Sequence, residues 1–249
     1  FKNEENHKPC IPDLLLKGID ETCGSCSFGG SVKEWRSRFE FILQNMDHII
    51  IPSEYVFNGF IAIYPNFKDK VTLWGHLKLE DKREKLHSHH SKIRLAYLGY
   101  KMQNKGWMTW ESIINNKELN EIYEFHHIGS GEKYSNHVQV TEYSFINNGI
   151  MGAVDKLKEK GVDIVLLWSI VPESYSYTLF ETIAAGLPIL TNVRSGNIAN
   201  TVRQSSEFGV VFNNEKELVD FLKNHEEVRD LINEQRYEYQ LKFNPVRVS

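Results

Sequence analysis

Residues 163–192 read DIVLLWSIVPESYSYTLFETIAAGLPILTN, and their pattern predicts a strand, a helix and a second strand. The apolar runs DIVLLWS and PILTN lack polar alternation, which is typical of parallel strands covered on both faces. Between them lies a polar loop and then a helical segment from Ser176 to Gly186. Gly186 is expected to end the helix as a left-handed cap, and Pro188 prevents its continuation. The segment is therefore predicted to be one strand–helix–strand unit.

The same alternation extends along residues 93–224. Strands are predicted at 93–99, 123–129, 163–169, 188–192 and 208–212, and helices at 105–115, 149–161, 176–186 and 215–224. Repeated units at this spacing predict an α/β fold with a Rossmann-like, doubly wound parallel sheet and right-handed crossovers. A last charged helix is predicted from Glu226 to about Lys242.

The first third of the chain has shorter elements. Ser31 and Glu34 form a capping box in front of a helix with apolar residues at helical spacing. Short strands are predicted at 48–52 and 71–74, with a helix capped by Ser53 between them. Residues 81–92 are strongly polar, and we expect a linker there.

Composition narrows the class of protein. The 249 residues are 41% hydrophobic and 25% charged, which suits one or two folded domains. A formal net charge of −4 does not indicate a nucleic-acid binder. No apolar run approaches the roughly 18 residues that a membrane span needs, so we expect no transmembrane segment. Three cysteines without a charged-then-apolar leader favour the reducing cytosol, and Phe1 as the first residue indicates a fragment.

The chemistry is expected at the carboxyl ends of the strands, where open parallel sheets bind ligands. Ser176 can cap the helix behind it and leave the amides of Tyr177, Thr178 and Leu179 unpaired, which makes a binding site for a diphosphate. Glu181, within that helix, can accept hydrogen bonds from a ribose diol. Glu173, eight residues earlier, would face whatever lies beyond the phosphates. Taken singly, either glutamate is more often a solvated surface residue.

Together these residues resemble the donor-binding signature of retaining nucleotide-sugar glycosyltransferases of family four, which have the two-domain GT-B fold. The resemblance covers residues 93–224 well and residues 31–78 more loosely. It implies that Glu181 holds the nucleotide ribose and that Glu173 contacts the transferred sugar. It also implies that the amides of Tyr177 and Thr178 hold the diphosphate.

Three further loops fit the resemblance in part. In GYKMQNKG (99–106), Gly99 is followed six residues later by Lys105, which by resemblance contacts the donor phosphates. The family's arginine after this glycine is Tyr100 here, so Lys101 is a candidate substitute. Gly129, after another strand, is expected beside the nucleotide base. Gly196 belongs to a loop that resembles the one facing the transferred sugar, although the family's acidic residue is missing there.

The resemblance also implies a domain organisation. Residues 1–80 would be the end of an incomplete N-terminal, acceptor-side domain, and residues 81–92 would be the linker. Residues 93–225 would form the nucleotide-sugar donor-binding domain, followed by a C-terminal helix and tail over residues 226–249.

The cysteines allow one metal hypothesis. His7, Cys10, Cys23 and Cys26 have the spacing of a four-ligand structural zinc site. The same CxxC pair is compatible with reduced, unligated thiols. The resemblance implies that the transfer chemistry itself needs no metal.

The sequence thus predicts a retaining, hexosyltransferase-type glycosyltransferase that moves a sugar from a nucleoside-diphosphate sugar to an acceptor hydroxyl, as in polysaccharide biosynthesis. The expected partners are the donor and a saccharide or lipid-linked acceptor, without nucleic acid. The expected location is the cytoplasm, with peripheral membrane attachment if the acceptor is a lipid. Two alternatives remain open: another GT-B enzyme, such as a nucleotide-sugar epimerase or a phosphorylase, or a non-catalytic module that binds a nucleotide or saccharide.

Overall fold

The structure is a computed structural model that describes residues 32–85, 91–129, 131–234 and 237–245. The chain divides into two units, Phe1–Gly75 and His76–Arg247. The larger unit contains every residue that the sequence analysis assigned to the donor site.

The smaller unit has a short parallel strand pair with helices beside it. Its elements are helix α1 (Val32–Gln44), strand β1 (Ile49–Ile51), helix α2 (Glu54–Ile63), a 3₁₀ turn (Pro65–Lys70) and strand β2 (Val71–Leu73). The Ser53 side chain caps α2 by accepting from the Val56 amide at 3.3 Å. The strands β1 and β2 pair in parallel, and both predicted strands are confirmed.

The larger unit contains the long strand–helix alternation. Its first elements are β3 (Leu77–Lys85), β4 (Ile93–Leu98), a 3₁₀ turn (Gln103–Lys105), α3 (Trp107–Ile114), α4 (Lys117–Ile122), β5 (Tyr123–Gly129), β6 (Val138–Glu142), α5 (Phe145–Asn148) and α6 (Gly152–Glu159). The remaining elements are β7 (Ile164–Leu166), α7 (Tyr177–Ala184), β8 (Ile189–Asn192), α8 (Asn197–Val202), a 3₁₀ turn (Ser206–Phe208), β9 (Gly209–Phe212), α9 (Glu215–Lys223), α10 (His225–Asn233) and β10 (Tyr237–Phe243).

Six of these strands form one sheet in the order β6-β5-β4-β7-β8-β9, and every neighbouring pair is parallel. The doubly wound parallel sheet predicted from the sequence is therefore confirmed. Apolar residues cover the sheet on both faces, as the unbroken apolar runs predicted. In β4, Leu95 and Tyr97 belong to the cluster with α3, α9 and α10, whereas Ala96 and Leu98 pack with α6, α7 and α8.

The end of the chain differs from its predicted structure. The helix expected from Glu226 to Lys242 stops in α10, and the residues beyond it form β10, which pairs antiparallel with β3. Apolar residues in β10 alternate with polar ones, a strand pattern that its charges concealed: Tyr237, Tyr239, Leu241 and Phe243. We name this pair of strands the β3–β10 ribbon.

The ribbon also changes the predicted linker. Residues 81–85, assigned to the linker at 81–92, continue strand β3. Leu77 and Leu241 on the inner face of the ribbon are buried against the apolar cluster of α6, α7 and α8. Leu77 and Leu79 of β3 pack in this cluster, and the other seven residues of the strand are all charged.

Candidate functional site

The candidate site lies at the carboxyl ends of the parallel strands. The chain places β5 and β6 on one side of β4 and then returns to place β7, β8 and β9 on the other side. Open parallel sheets bind ligands in the crevice outside such a reversal of strand order. The loop after β4 carries Lys105 and the loop after β7 carries Glu173, so the two residues arrive at the same crevice from neighbouring strands.

The structure joins Lys105 and Glu173 directly. Lys105 Nζ lies 2.5 Å from Glu173 Oε1, with the lysine side chain 41% exposed and the glutamate side chain 13% exposed. The Ser169 hydroxyl lies 2.9 Å from the same carboxylate oxygen, 2.7 Å from the Val171 carbonyl oxygen and 3.0 Å from the Asn104 carbonyl oxygen, so three acceptors compete for its single hydrogen. The ion pair holds two functional groups of opposite charge at one edge of the site.

Gly196 fixes the backbone of the Glu173 loop. The Asn197 amide donates to the Glu173 carbonyl oxygen at 2.8 Å, and the Glu173 amide donates to the Ser195 carbonyl oxygen at 3.3 Å. Gly196 has φ +64°, and a Cβ atom there would lie 2.6 Å from the Glu173 nitrogen. Only glycine permits this approach, so the predicted sugar-facing loop lies against Glu173.

Helix α7 begins beside this pair. Ser176 is its N-cap, and its hydroxyl accepts from the Leu179 amide at 3.3 Å and lies 3.0 Å from the Thr178 hydroxyl. The prediction that the Leu179 amide is unpaired is therefore wrong, because this amide donates a hydrogen bond to the Ser176 hydroxyl. The amides of Tyr177 and Thr178 have no acceptor within the helix, since the first turn of any helix lacks carbonyl partners. Such amides, together with the positive end of a helix dipole, are suited to bind an anion.

Glu181 is buried one turn further along α7. Glu181 is only 5% exposed, and its Oε1 accepts a hydrogen bond from the Tyr143 hydroxyl at 3.0 Å. Burial raises the pKa of the Glu181 carboxyl to about 7, and the Tyr143 hydrogen bond opposes this rise. The alternative that Glu181 is a solvated helix residue is therefore wrong. A buried carboxyl with one side-chain partner is suited to accept hydrogen bonds from a ligand.

A cavity of about 420 Å³ opens over Glu181. Its walls come from the ends of β4 and β5, from α5 and α7, and from the ribbon, and they include five residues of the predicted donor site: Gly99, Gly129, Tyr177, Thr178 and Glu181. The other lining residues are Leu77, Leu98, Tyr100, Tyr143, Phe145, Ile150, Leu241 and Phe243. The cavity thus combines an apolar wall with one carboxyl group and a helix N-terminus.

Gly99 and Gly129 let neighbouring backbones meet at the floor of this cavity. A Cβ atom on Gly129 would lie 2.0 Å from the Gly99 carbonyl oxygen, so only glycine fits there. His127 Nε2 donates to that same oxygen at 2.9 Å. Burial lowers the pKa of His127, which favours the neutral ring, while the hydrogen bond to Gly99 opposes the effect.

Lys101, the candidate substitute for the family's arginine, has aromatic partners. Its Nζ atom lies 5.0 Å from the ring centroid of Trp107 and 5.2 Å from that of Tyr134. Both distances are typical of cation–π contacts. Lys101 is therefore held beside these rings, while Lys105 contacts Glu173.

Two residues of the candidate site were missed by the sequence analysis, Tyr143 and Ser169. Tyr143 directly follows β6, which was not predicted although VQVTE alternates apolar and polar residues. Ser169 closes the predicted strand 163–169, where it was counted as part of the strand. Because both follow parallel strands of one sheet, their position at its carboxyl edge was the available signal.

The zinc hypothesis falls outside the described residues, since His7, Cys10, Cys23 and Cys26 all precede residue 32. Within the described ranges, no group of three or more His, Cys, Asp or Glu residues could hold a metal ion. Across the same ranges, no helix combines the length and apolar character that crossing a membrane requires.

Comparisons with known proteins bear on the fold. No protein-family model matches the chain, and a search of curated proteins finds no match. Among solved structures, the apo lipopolysaccharide outer core galactosyltransferase WaaB has a TM-score of 0.53 at 14% identity, covering 75% of this chain and 56% of its own. Sucrose-phosphate synthase from Thermosynechococcus elongatus has a TM-score of 0.54 at 12% identity, covering 88% of this chain and 59% of its own.

HepE from Anabaena, solved in complex with UDP and glucose, has a TM-score of 0.56 at 11% identity, covering 81% of this chain and 60% of its own. The fold is that of a Rossmann-like GT-B domain. At these identities the likeness concerns the fold. The chain spans between 56% and 60% of the length of these three structures.

Proposed function

We propose that this chain carries the donor-binding domain of a retaining glycosyltransferase, which moves a hexose from a nucleoside-diphosphate sugar to an acceptor hydroxyl. The observation that supports it most is the cavity in which the buried Glu181 carboxyl lies beside the N-terminus of α7. A nucleoside diphosphate has two polar parts, the ribose hydroxyls and the diphosphate. The carboxyl group can accept hydrogen bonds from the first, and the helix N-terminus can bind the second.

Each site residue has a role in this proposal. The Glu181 carboxylate accepts from the ribose hydroxyls, and the amides of Tyr177 and Thr178 bind the diphosphate behind the Ser176 cap. Lys105 neutralises negative charge on the leaving diphosphate, and Glu173 orients the transferred sugar. Charge that develops on the diphosphate as the glycosidic bond breaks is then met by fixed positive groups, which lowers the barrier. The resemblance implies front-face displacement without a metal.

The glycine residues and the domain organisation complete the proposal. Gly99, Gly129 and Gly196 let the backbone approach the donor closely, with the base beside Gly129, and Lys101 supports the loop that carries Lys105. Residues 1–80 would belong to the acceptor-side domain, which also contributes to transfer in this family. A saccharide or lipid-linked acceptor and a cytoplasmic, membrane-peripheral location are part of the same hypothesis.

The test is calorimetric titration of the chain with UDP, GDP, ADP, dTDP and CDP. We expect saturable binding of one of them, and UDP is the first candidate because HepE was solved with UDP. Glu181→Ala is expected to weaken that binding by about 1.5–3 kcal/mol, the range for a hydrogen bond to a charged group. The exposed residue Glu121 provides the matched control, and Glu121→Ala should bind as the unaltered chain does. Failure of all five nucleotides to bind would overturn the proposed donor site.

A further inference from the structure

Tyr143 is positioned at the wall of the cavity by two contacts. Its amide donates to the Gly129 carbonyl oxygen at 2.9 Å, which ties it to the end of the neighbouring strand β5. Its ring packs on Gly152, the first residue of α6, where a Cβ atom would lie 2.8 Å from Tyr143 Cε2. Backbone on one side and a glycine on the other thus fix the direction of the side chain.

The Tyr143 hydroxyl is aimed at Glu181. It donates to Glu181 Oε1 at 3.0 Å, and both residues line the cavity. In the described part of the chain, Tyr143 is the one side chain that donates to this carboxyl group, and Oε2 has no protein donor there. Burial raises the pKa of the Tyr143 hydroxyl, so it stays protonated and keeps donating at neutral pH.

Among the described residues that line the cavity, Glu181 is the one that carries a charged group. The remaining titratable groups on the described cavity wall are tyrosines, namely Tyr100, Tyr143 and Tyr177, and no positively charged side chain lines it. Burial and the Tyr143 hydrogen bond are the two causes of the shift in the pKa of Glu181. The hydrogen bond favours the ionised carboxylate, which can accept from two hydroxyls at once.

We infer that Tyr143 is a positioning residue that orients the Glu181 carboxylate to read the ribose 2′,3′-diol of the donor. This inference rests on the proposed function. With Oε1 held by Tyr143, the carboxylate cannot rotate freely, so Oε2 and the remaining lone pair of Oε1 face the cavity in one orientation. A ligand without the 2′-hydroxyl leaves one acceptor of the carboxylate without a hydrogen bond. The resulting loss of binding affinity is large only if the carboxylate is fixed in one orientation.

The test compares UDP with 2′-deoxy-UDP by calorimetry on the whole chain and on Tyr143→Phe. The unaltered protein is expected to prefer UDP, and Tyr143→Phe should reduce the preference by about three- to tenfold, the effect that one ordinary hydrogen bond has on an equilibrium. Tyr239→Phe, which removes a tyrosine hydroxyl from the ribbon outside the cavity lining, is the matched control. In a Glu181→Gln background, Tyr143→Phe should change the preference far less. An unchanged preference in Tyr143→Phe, or an equal change in the Glu181→Gln background, overturns the inference.

A second measurement needs no ligand. The Glu181 carboxyl is titrated by carbon NMR in the unaltered protein and in Tyr143→Phe, starting from a pKa of about 7. Losing a donor to the ionised form raises the pKa, so the midpoint should move to higher pH in Tyr143→Phe and stay in place in Tyr239→Phe. A midpoint that does not move overturns the inference. If the midpoint moves but no nucleotide binds the unaltered chain, the contact is established, and both the proposed function and the ribose role are overturned.

Discussion

At the scale of single residues, the ion pair between Lys105 and Glu173 has a consequence for ligand binding. The proposed function assigns Lys105 to the diphosphate and Glu173 to the sugar, yet in the structure the two groups neutralise each other. A donor must therefore compete with Glu173 for the lysine. Because Lys105 is 41% exposed, the ion pair is weak, and competition is feasible.

Replacing Glu173 should separate the two parts of the donor. Glu173→Gln frees Lys105 for phosphate, so affinity for UDP should rise by about two- to fivefold, as expected for an ion pair worth at most about 1 kcal/mol. The additional affinity that a hexose gives UDP-hexose over UDP should fall, because the carboxylate that orients the sugar is lost. Calorimetry with both ligands measures the two effects. Lys105→Met is the converse variant and should weaken UDP binding. Weaker UDP binding by Glu173→Gln would contradict the competition.

Gly196 offers a prediction about the backbone of the site. Gly196→Ala should lower the free energy of unfolding by at least about 1 kcal/mol more than Gly149→Ala, because its Cβ would meet the Glu173 backbone. The control is well matched, since Gly149 has φ +70° against +64° for Gly196 but open space around its Cβ position. Urea denaturation of both variants provides the values. Equal losses of stability in the two variants would mean that the close approach of Gly196 to the Glu173 backbone does not affect the free energy of unfolding.

At the scale of elements, the sequence predicts the unbroken apolar strands and misses all or part of three strands that contain many polar residues, β3, β6 and β10. The apolar runs of β4, β5 and β7 stand out because each lies in the middle of the sheet. The ribbon strands expose one face to solvent, so their charged residues concealed the alternation in β10 and led to the assignment of residues 81–85 of β3 to the linker. The edge strand β6 was not predicted either, because polar residues alternate with its two valines.

The ribbon contributes to stability through Leu241. This residue is buried in the ribbon's inner face, so Leu241→Ala should lower the free energy of unfolding by about 2–3 kcal/mol. The neighbouring Gln240 points to the exposed face, and Gln240→Ala should change stability by less than about 0.5 kcal/mol. Chemical denaturation of both variants measures the difference. A loss in Leu241→Ala no larger than that in Gln240→Ala would show that the ribbon adds little to the fold.

In the candidate site too, the sequence pattern predicts some features and not others. That Lys105 and Glu173 both follow the carboxyl ends of strands could be predicted, and the structure shows that the two strands are neighbours in the sheet. The contact between Tyr143 and Glu181 could not be predicted, because it depends on side-chain directions across an unpredicted strand and a glycine on α6. The spacing of residues along the sequence predicts which of them lie at the edge of the sheet. Side-chain packing decides which of them contact each other there.

At the scale of the whole molecule, the cavity belongs to one of the two units. Every residue that lines it lies between Leu77 and Phe243, within the unit His76–Arg247. The ion pair of Lys105 and Glu173 lies in the same unit. Under the proposed function, nucleotide binding would therefore need only this unit, whereas sugar transfer would also need acceptor contacts from the other part of the protein.

A chain that begins at Gly75 should consequently bind UDP as tightly as the full 249 residues do, because it keeps the ribbon, the sheet and α7. Calorimetry on the shortened chain measures the affinity, and circular dichroism shows that it has folded. Glu181→Ala in the shortened chain is the control, since specific binding must weaken there as in the full chain. If the folded, shortened chain binds UDP more weakly than the full chain, residues before Gly75 contribute to the donor site, and the assignment of nucleotide binding to one unit is wrong.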